Sequence, residues 1–148
     1  MIIESVDLKD KEQIKKIINL IFRTFCECNK EDSSKKLKER YDKLYWKNSV
    51  YKDTLDHFKK SCDVFLIAKE DDKIIWVIRW SKEKIVNIYT DSNYQWKWIG
   101  KSLLNAFEVE AKKMWSQYIY LNPSKFAYNF YIKNWFSPKN EKYLEKYL

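Results

Sequence analysis

The sequence predicts an α/β protein in which helices flank one mixed central β-sheet. Three consecutive apolar strands are separated by short polar turns, which indicates an antiparallel meander. Strand and helix patterns alternate after the meander, so part of the sheet is expected to be parallel. At 148 residues the chain has the length of one domain, and we expect a single domain over residues 1–148.

The first sixty residues predict one short strand and three helices. Residues 2–6 (IIESV) have a strand pattern. Asp10 and Gln13 have the spacing of a helix capping box, and apolar residues follow at helical spacing. Residues 34–45 and 51–60 also place apolar side chains on one helical face. We therefore expect three helices before the meander.

The meander and the rest of the chain predict the remaining elements. The three meander strands are residues 63–70, 73–80 and 84–90 (DVFLIAKE, KIIWVIRW and KIVNIYT). The later elements are a helix from Lys101, a strand over 117–121, a helix over 125–134, and one or two edge strands in the tail. This order places a helix between the third meander strand and the next strand, which favours parallel pairing of those two.

The composition narrows the class of partner. No apolar run approaches the roughly 20 residues of a membrane span, and the N-terminal stretch has no signal-peptide core. We therefore expect a cytoplasmic protein without a membrane partner. The net charge of +8 could attract nucleic acid, but the lysines are spread along the chain, which argues against nucleic acid as a partner.

The three cysteines and the single histidine do not predict a metal site or a nucleophile. Cys26 and Cys28 are two residues apart on a predicted helix, so they face different directions. No C-x-x-C occurs, and His57 lies in a lysine-rich segment. We expect reduced thiols and no metal.

The balance of glycine and tryptophan is unusual. The chain has one glycine and seven tryptophans, whereas average usage predicts about 10 glycines. Tryptophan follows a predicted helix at three places, stands in or at the end of a strand at two, and occurs twice in one turn: Trp46, Trp115 and Trp135; Trp76 and Trp80; Trp96 and Trp98. The position after a helix commonly takes the left-handed conformation, which favours glycine.

These positions suggest that tryptophan stands where the organism inserts glycine. A left-handed conformation costs a non-glycine residue about 1–2 kcal/mol, so three would cost roughly 3–6 kcal/mol of a domain's 5–15 kcal/mol. Some bacterial lineages decode UGA as glycine, whereas another nonstandard code reads it as tryptophan. The alternative is a chain that is truly rich in tryptophan. Seven UGG codons in the coding DNA would end the glycine hypothesis.

The turn before the fourth predicted helix is suited to an anion. The stretch NYQWKWIGKSLL joins a strand to a helix, and backbone N–H groups gather around anions at such turns. With glycine at the two tryptophans, it becomes Y-Q-G-K-G-I-G-K-S-L-L. That sequence resembles the acetyl-CoA signature of the GNAT superfamily of N-acetyltransferases, Q/R-x-x-G-x-G/A. Gln95 and Gly100 match the signature, and Trp98 departs from its first glycine.

A second motif further along the chain supports the resemblance. The family has an asparagine after a strand, then a helix that carries F-Y before G-F. Here these are Asn122, Phe130-Tyr131 and Trp135-Phe136. Both motifs occur in order, with the expected strands and helices around them, so the chain resembles GNAT proteins over essentially its whole length. The resemblance implies a GNAT-like fold and an acetyl-CoA-dependent N-acetyltransferase that needs no metal.

The resemblance also implies roles for single residues. Main-chain N–H groups at the helix start could hold the pyrophosphate: Gln95, Trp96, Lys97, Trp98, Ile99, Gly100 and Lys101. Lys97 and Lys101 would add charge or would be ordinary solvated lysines. The strand at Ile88, Tyr89 and Thr90 would pair with the pantetheine arm and splay from the strand over 118–121.

Two side chains would contact the cofactor chain and its sulfur. Asn122 would hydrogen-bond the cofactor chain, although it could instead be a turn residue ahead of Pro123. Tyr131 would protonate the departing CoA thiolate, although it could instead be a core aromatic residue beside Phe130. The acetyl group would pass by direct attack of a neutral amine, with no covalent enzyme intermediate.

The acceptor and the general base are left open by the sequence. Glu83 and Asp91 flank the relevant strand, but carboxylates at such surface positions are more often solvated. Residues 26–62 are expected to recognise the acceptor, and small amines, antibiotics, peptide N-termini and protein lysines all fit. A homodimer is possible. Two alternatives are a catalytically silent GNAT fold and a nucleic-acid-binding module that uses Trp96, Lys97 and Trp98 for stacking.

Overall fold

A computed structural model of the chain describes residues 1–46, 51–60, 62–95 and 98–148. The strands are β1 (Ile2–Ser5), β2 (Val64–Glu70), β3 (Lys73–Ser81), β4 (Lys84–Thr90), β5 (Tyr118–Leu121), β6 (Ser137–Pro138) and β7 (Leu144–Tyr147). The helices are α1 (Lys11–Cys28), α2 (Lys35–Tyr45), α3 (Tyr51–Lys60), α4 (Ile99–Lys113) and α5 (Tyr128–Lys133). A short 3₁₀ turn covers Ser92–Tyr94.

The predicted α/β class and the mixed sheet are confirmed. The strands form one sheet in the order β1-β2-β3-β4-β5-β7-β6. β1 to β4 pair antiparallel, which is the predicted meander with β1 added at its edge. β4 and β5 pair parallel, and α4 makes the crossover between them. This crossover places the start of α4 at the end of β4.

The helix starts follow the sequence signals. The Asp10 carboxylate accepts a hydrogen bond from the Gln13 N–H at 2.9 Å, as a capping box predicts. In a capping box the Gln13 side chain would accept from the N–H of Asp10. Here its oxygen accepts from the N–H of Asp7 at 2.8 Å instead. Ser34 Oγ caps α2 by accepting from the Leu37 N–H at 3.2 Å.

Two predictions near the C-terminus need correction. The helix expected over 125–134 is helical only over Tyr128–Lys133, because Ser124 closes a turn by accepting the Ala127 N–H at its carbonyl and hydroxyl. The tail supplies two strands, but they are not both edge strands. β7 lies between β5 and β6, and only the two-residue β6 forms the edge.

The sheet separates two apolar clusters. Helices α1, α2 and α3 cover one face, where Ile14, Ile21, Phe25 and Phe58 pack with Phe65, Ile67 and Val77 of the strands. Helix α4 covers the other face, where Leu103, Leu104 and Phe107 pack with Ile75, Ile78 and Ile119. Alternate residues of β3 and β4 therefore face opposite sides of the molecule.

Three tryptophans have the left-handed backbone that the glycine hypothesis expects. Trp98, Trp115 and Trp135 have φ values of 57°, 61° and 71°, and their side chains are 81%, 92% and 83% exposed. Trp115 and Trp135 follow α4 and α5 in Schellman motifs, since Ser116 and Phe136 donate to carbonyls five residues back. Glycine is the usual residue at this position.

The other described tryptophans differ. The expectation that Trp46 is left-handed is wrong: it ends α2 in an extended conformation with φ of −68°, so no strain arises there. Trp76 and Trp80 are buried in the core and pack there, so they do not mark the end of a helix or a turn. The strand register shifts beside both, and neither indole N–H has a hydrogen-bond partner among the described residues. Trp96 lies outside the described residues.

No helix in the described part of the chain is long and apolar enough to cross a membrane.

Candidate active site

The parallel pair β4–β5 opens into a cavity. The two strands pair at a single register position, Lys84 with Tyr120, and the Tyr120 N–H also donates to the Glu83 carbonyl at 2.9 Å. Beyond this point the strands separate, as the resemblance implies. A cavity of about 1240 Å³ fills the opening and is lined by residues from both faces of the sheet.

One end of the cavity lies at the start of α4. Trp98 is the N-cap residue, and its side chain makes no capping hydrogen bond. Its carbonyl accepts from the Ser102 N–H at 3.1 Å, so the first helical turn is formed. The first N–H groups of a helix have no partner within the helix. Gly100 and Lys101 line the cavity, so this end offers main-chain donors and a positive charge.

Gly100 allows α4 to approach α5 closely. A Cβ at this position would lie 3.3 Å from Cε2 and Cζ of Phe130, which is tighter than ordinary van der Waals contact. The single glycine of the chain therefore fits the helix start against the next helix. This contact also holds Phe130, and with it the neighbouring Tyr131, beside the helix start.

Gln95 fixes the turn between β4 and α4. Its side-chain nitrogen donates to the Thr90 carbonyl at 3.0 Å and lies 3.4 Å from the Cys28 sulfur. The amide side chain thus ties the turn to the end of β4 and to α1. Gln95 lines the cavity, but its described hydrogen bonds position the chain.

The structure brings most of the predicted site residues to this cavity. Those that line it are Ile88, Tyr89, Thr90, Gln95, Trp98, Gly100, Lys101, Asn122 and Tyr131. Ile99 instead packs against the core on the α4 face. Trp96 and Lys97 lie outside the described residues.

Tyr131 is both a core residue and a cavity residue. Its ring packs edge-on against Phe130 and Phe136, with centroid distances of 5.2 and 5.3 Å. It is buried, and burial raises the pKa of its phenol well above the ordinary value. The hydroxyl therefore stays protonated at neutral pH.

The expectation that Asp91 is a solvated surface carboxylate is wrong. Its side chain is fully buried, and Oδ2 lies 2.7 Å from Arg23 Nη2 and 2.8 Å from Lys73 Nζ. Burial raises the pKa of Asp91. The hydrogen bonds from Lys73 and Asn93 and the charges of Arg23 and Lys73 lower the pKa by more than burial raises it, so the net pKa is below the ordinary value. Asp91 therefore joins α1, β3 and the end of β4.

The other end of the cavity lies among α1, α2, α3 and the sheet. It contains residues that the sequence prediction missed, chief among them Arg79 of β3. Arg79 is fully buried; its Nε donates to Asn87 Oδ1 at 3.0 Å and its Nη1 to the His57 carbonyl at 3.0 Å. The only sequence signal is an arginine inside the otherwise apolar run IIWVIRW.

His57 is held neutral beside this arginine. Its Nε2 lies 2.8 Å from Arg79 Nη2, and a guanidinium can only donate, so Nε2 accepts. Burial, followed by the charges of Arg79 and Arg40, lowers the pKa of His57 to about 4. The imidazole is therefore a hydrogen-bond acceptor at neutral pH.

Tyrosines complete this end of the cavity. The hydroxyls of Tyr41 and Tyr89 hydrogen-bond each other, and Tyr45 packs beside Tyr41 with a centroid distance of 5.0 Å. Burial raises the pKa of all three phenols. Residues 28–45 supply much of this wall, which lies within the 26–62 segment predicted to recognise the acceptor.

The three cysteines are not joined in disulfides. Cys26, Cys28 and Cys62 are free, and burial raises the pKa of Cys26 and Cys62. No group of three or more His, Cys, Asp or Glu side chains placed to hold a metal occurs among the described residues.

The fold and this cavity define an α/β protein that can bind a ligand through the opening of its central sheet. Residues 29–148 match the family model of the acetyltransferase (GNAT) domain. The chain therefore belongs to the GNAT family of acetyltransferases. No curated protein sequence matches it significantly.

Solved structures share the fold over nearly the whole chain. A PaiA N-acetyltransferase from Thermoplasma acidophilum in complex with coenzyme A has a TM-score of 0.74 at 20% identity, covering 99% of this chain and 98% of its own. The aminoglycoside 6'-N-acetyltransferase from Enterococcus faecium has a TM-score of 0.71 at 14% identity, covering 99% and 97%. A GNAT family acetyltransferase from Brucella melitensis in complex with acetyl-CoA has a TM-score of 0.64 at 14% identity, covering 99% and 87%.

Proposed function

We propose that this chain is an acetyl-CoA-dependent N-acetyltransferase that transfers the acetyl group by direct attack of an amine in a ternary complex. The observation that carries the proposal is the single cavity that runs through the β4–β5 opening. It joins the main-chain donors at the start of α4 to the buried phenol of Tyr131 and then to the opposite face of the sheet. Two reactants can therefore enter from opposite sides and meet at the opening.

The residues at the α4 end suit a diphosphate and a pantetheine arm. The first-turn N–H groups and Lys101 offer positive potential, and β4 has a strand edge free beyond Lys84 where an extended amide chain can pair. Asn122 lines the same opening and can hydrogen-bond that chain. Trp98 is the exception, because its indole stands where close approach of an anion to the main chain needs a small residue.

The chemistry requires one bond to form and one to break. The amine nitrogen attacks the thioester carbonyl carbon, and the carbon–sulfur bond then breaks. Tyr131 gives its phenolic proton to the leaving sulfur. The proton of the amine leaves through water, and water returns a proton to Tyr131. Asp91 does not serve as the base, since Arg23 and Lys73 hold its carboxylate.

The proposal is tested by the release of free CoA thiol from acetyl-CoA over a broad panel of amines, with acetylated product identified by mass. We expect release that needs both substrates and increases on Trp98→Gly. The absence of acetylated product across the panel, from both forms of the chain, would contradict an enzymatic role.

A second candidate is a catalytically silent GNAT module that binds acetyl-CoA as a sensor. The observation that favours it is Trp98 itself, placed in the anion-binding turn with a left-handed backbone. This candidate expects acetyl-CoA to stabilise the chain without CoA release over the amine panel. Salt-sensitive binding of single-stranded nucleic acid, with no effect of acetyl-CoA, would instead favour a nucleic-acid module.

A further inference from the structure

Arg79 is a buried charge without a carboxylate partner. Its side chain has no exposed surface, yet it lines the cavity on the face of the sheet opposite α4. None of the ion pairs among the described residues includes it. Buried charges in proteins are usually paired, because removing an ion from water without compensation is costly.

The groups around Arg79 satisfy its geometry but not its charge. Its three described hydrogen-bond partners are the Asn87 amide oxygen, the His57 carbonyl and the neutral His57 ring. The Phe58 ring lies 5.2 Å from the guanidinium carbon. A guanidinium has five N–H donors, so donors remain beyond these three bonds. Arg79 is thus held rigidly while its positive charge stays uncompensated.

The rest of this end of the cavity has the same sign. Arg40 of α2 lines it, and its charge acts on both Arg79 and His57. The one described carboxylate that lines the cavity is Asp32, which already pairs with Lys125 at 3.6 Å. A polycationic acceptor would meet like charge here, whereas an anionic group would supply the missing partner.

We propose that the acceptor is an amine that also carries a carboxylate, and that Arg79 binds this carboxylate while Arg40 attracts it at the mouth of the cavity. This inference rests on the proposed function, because it names the substrate class of the same site. Arginine suits the role because one N–H on each terminal nitrogen of Arg79 remains beyond the described bonds, and a hydrogen bond from a guanidinium to a carboxylate is charge-assisted. The hydroxyls of Tyr41 and Tyr89 lie on the same wall and hydrogen-bond each other, so one of the two O–H groups is left as a neutral donor.

The experiment compares amino acids and dipeptides with their own carboxamides. Each pair is titrated calorimetrically into the full chain, with and without CoA, and kcat/KM is measured for the pairs that react. We expect the carboxylate member to bind about ten- to hundred-fold more tightly, since a hydrogen bond to a charged group is worth about 1.5–3 kcal/mol. Arg79→Gln should remove this preference while changing carboxamide binding little.

Two further variants keep the test decisive if Arg79→Gln fails to fold. Arg40→Gln changes an exposed cavity residue and should reduce the preference about two- to five-fold. Lys36→Gln, an exposed residue of the same helix outside the cavity, should leave it unchanged. Equal binding of every pair, a preference that survives both arginine variants, or tighter binding of polyamines than of carboxylates would overturn the inference. Selective carboxylate binding without CoA release would refute the proposed enzyme and leave the carboxylate site at Arg79 standing.

Discussion

The two ends of the cavity differ in the groups that form them: main-chain groups at one end and side chains at the other. The α4 end consists of main-chain groups in one short stretch of sequence, namely the turn after β4 and the first turn of α4. The opposite end consists of side chains from separate elements, among them Arg79, Asn87 and His57, which are joined by hydrogen bonds. The first end is a local feature, and the second exists only after the whole chain has folded.

This difference explains what each end can do. Main-chain donors at a helix start bind anions of many shapes, so the α4 end suits the diphosphate of the proposed cofactor. Side chains fixed by long-range contacts can select one ligand over another, so the opposite end suits the acceptor. The predictions below test this division, beginning with the largest expected effect.

Replacing the phenol at the junction of the two ends should have the largest effect. Tyr131→Phe removes only the hydroxyl from a well-packed ring, so we expect kcat to fall about 10²-fold with little change in the KM for acetyl-CoA. Stopped-time assays of CoA release measure both constants. Tyr128→Phe is the matched control, since Tyr128 lies on the same helix outside this cavity. Unchanged kcat for Tyr131→Phe would limit Tyr131 to packing.

Removing the charge of Asp91 at the end of β4 should lower the stability of the fold. Asp91→Asn keeps an acceptor for the Asn93 N–H but loses the ion pairs with Arg23 and Lys73. We expect the free energy of unfolding to fall by about 2 kcal/mol, measured by urea denaturation. If the variant instead keeps its stability and loses kcat, Asp91 acts in catalysis and not in support.

Glycine at the left-handed helix ends should stabilise the chain. Trp115→Gly and Trp135→Gly each relieve a left-handed residue whose indole is exposed, so we expect a gain of about 1 kcal/mol for each in urea denaturation. Trp46→Gly is the control, because Trp46 has an extended backbone and should gain nothing. Equal effects at all three positions would contradict the glycine hypothesis that also explains Trp98.

Acid should destabilise the end of the cavity that contains His57. The His57 ring takes up a proton near pH 6.5 in the unfolded chain and near pH 4 in the folded chain. Between these values the unfolded state holds more protons, so the free energy of unfolding decreases as the pH decreases. His57→Gln keeps an acceptor for Arg79 and removes the titration, so its stability should decrease less over this window.

Asp91 also titrates, but its effect on stability can be separated from that of His57. The pKa of Asp91 lies below its ordinary value of 3.8, so its stabilisation is lost only at lower pH than the His57 window. Urea denaturation at several pH values separates the two contributions. Identical pH dependence in the original chain and His57→Gln would show that His57 is solvated and not fixed beside Arg79.

The same division decides how much could be predicted from the sequence. The meander and the fourth helix follow from local periodicity, although α4 begins at Ile99, two residues before the expected start. Gln95 and Gly100, taken from the motif, line the cavity. The arginine of β3 could not be assigned, because its importance depends on which helices cover that face of the sheet. The position of β7 inside the sheet depends equally on long-range pairing.

The tryptophans show both outcomes. Local pattern predicted the left-handed backbone at Trp115 and Trp135, since many helices end in this conformation. The same rule failed at Trp46, where the chain leaves α2 in an extended conformation. The burial of Trp76 and Trp80 depends on the packing of α4 against the sheet, which the sequence does not specify residue by residue.

The most direct test is a paired thermal-shift titration with acetyl-CoA on the original chain and on a Trp96→Gly/Trp98→Gly variant. We predict that the main-chain amides at the start of α4 bind the diphosphate of acetyl-CoA. The free energy of unfolding of the glycine variant should then rise by about 2.7 kcal/mol when acetyl-CoA is present at 100 times its dissociation constant, and that of the original chain should rise little. If acetyl-CoA shifts neither protein, the α4 end is not a cofactor site. If it shifts both equally, the indoles are no obstacle there.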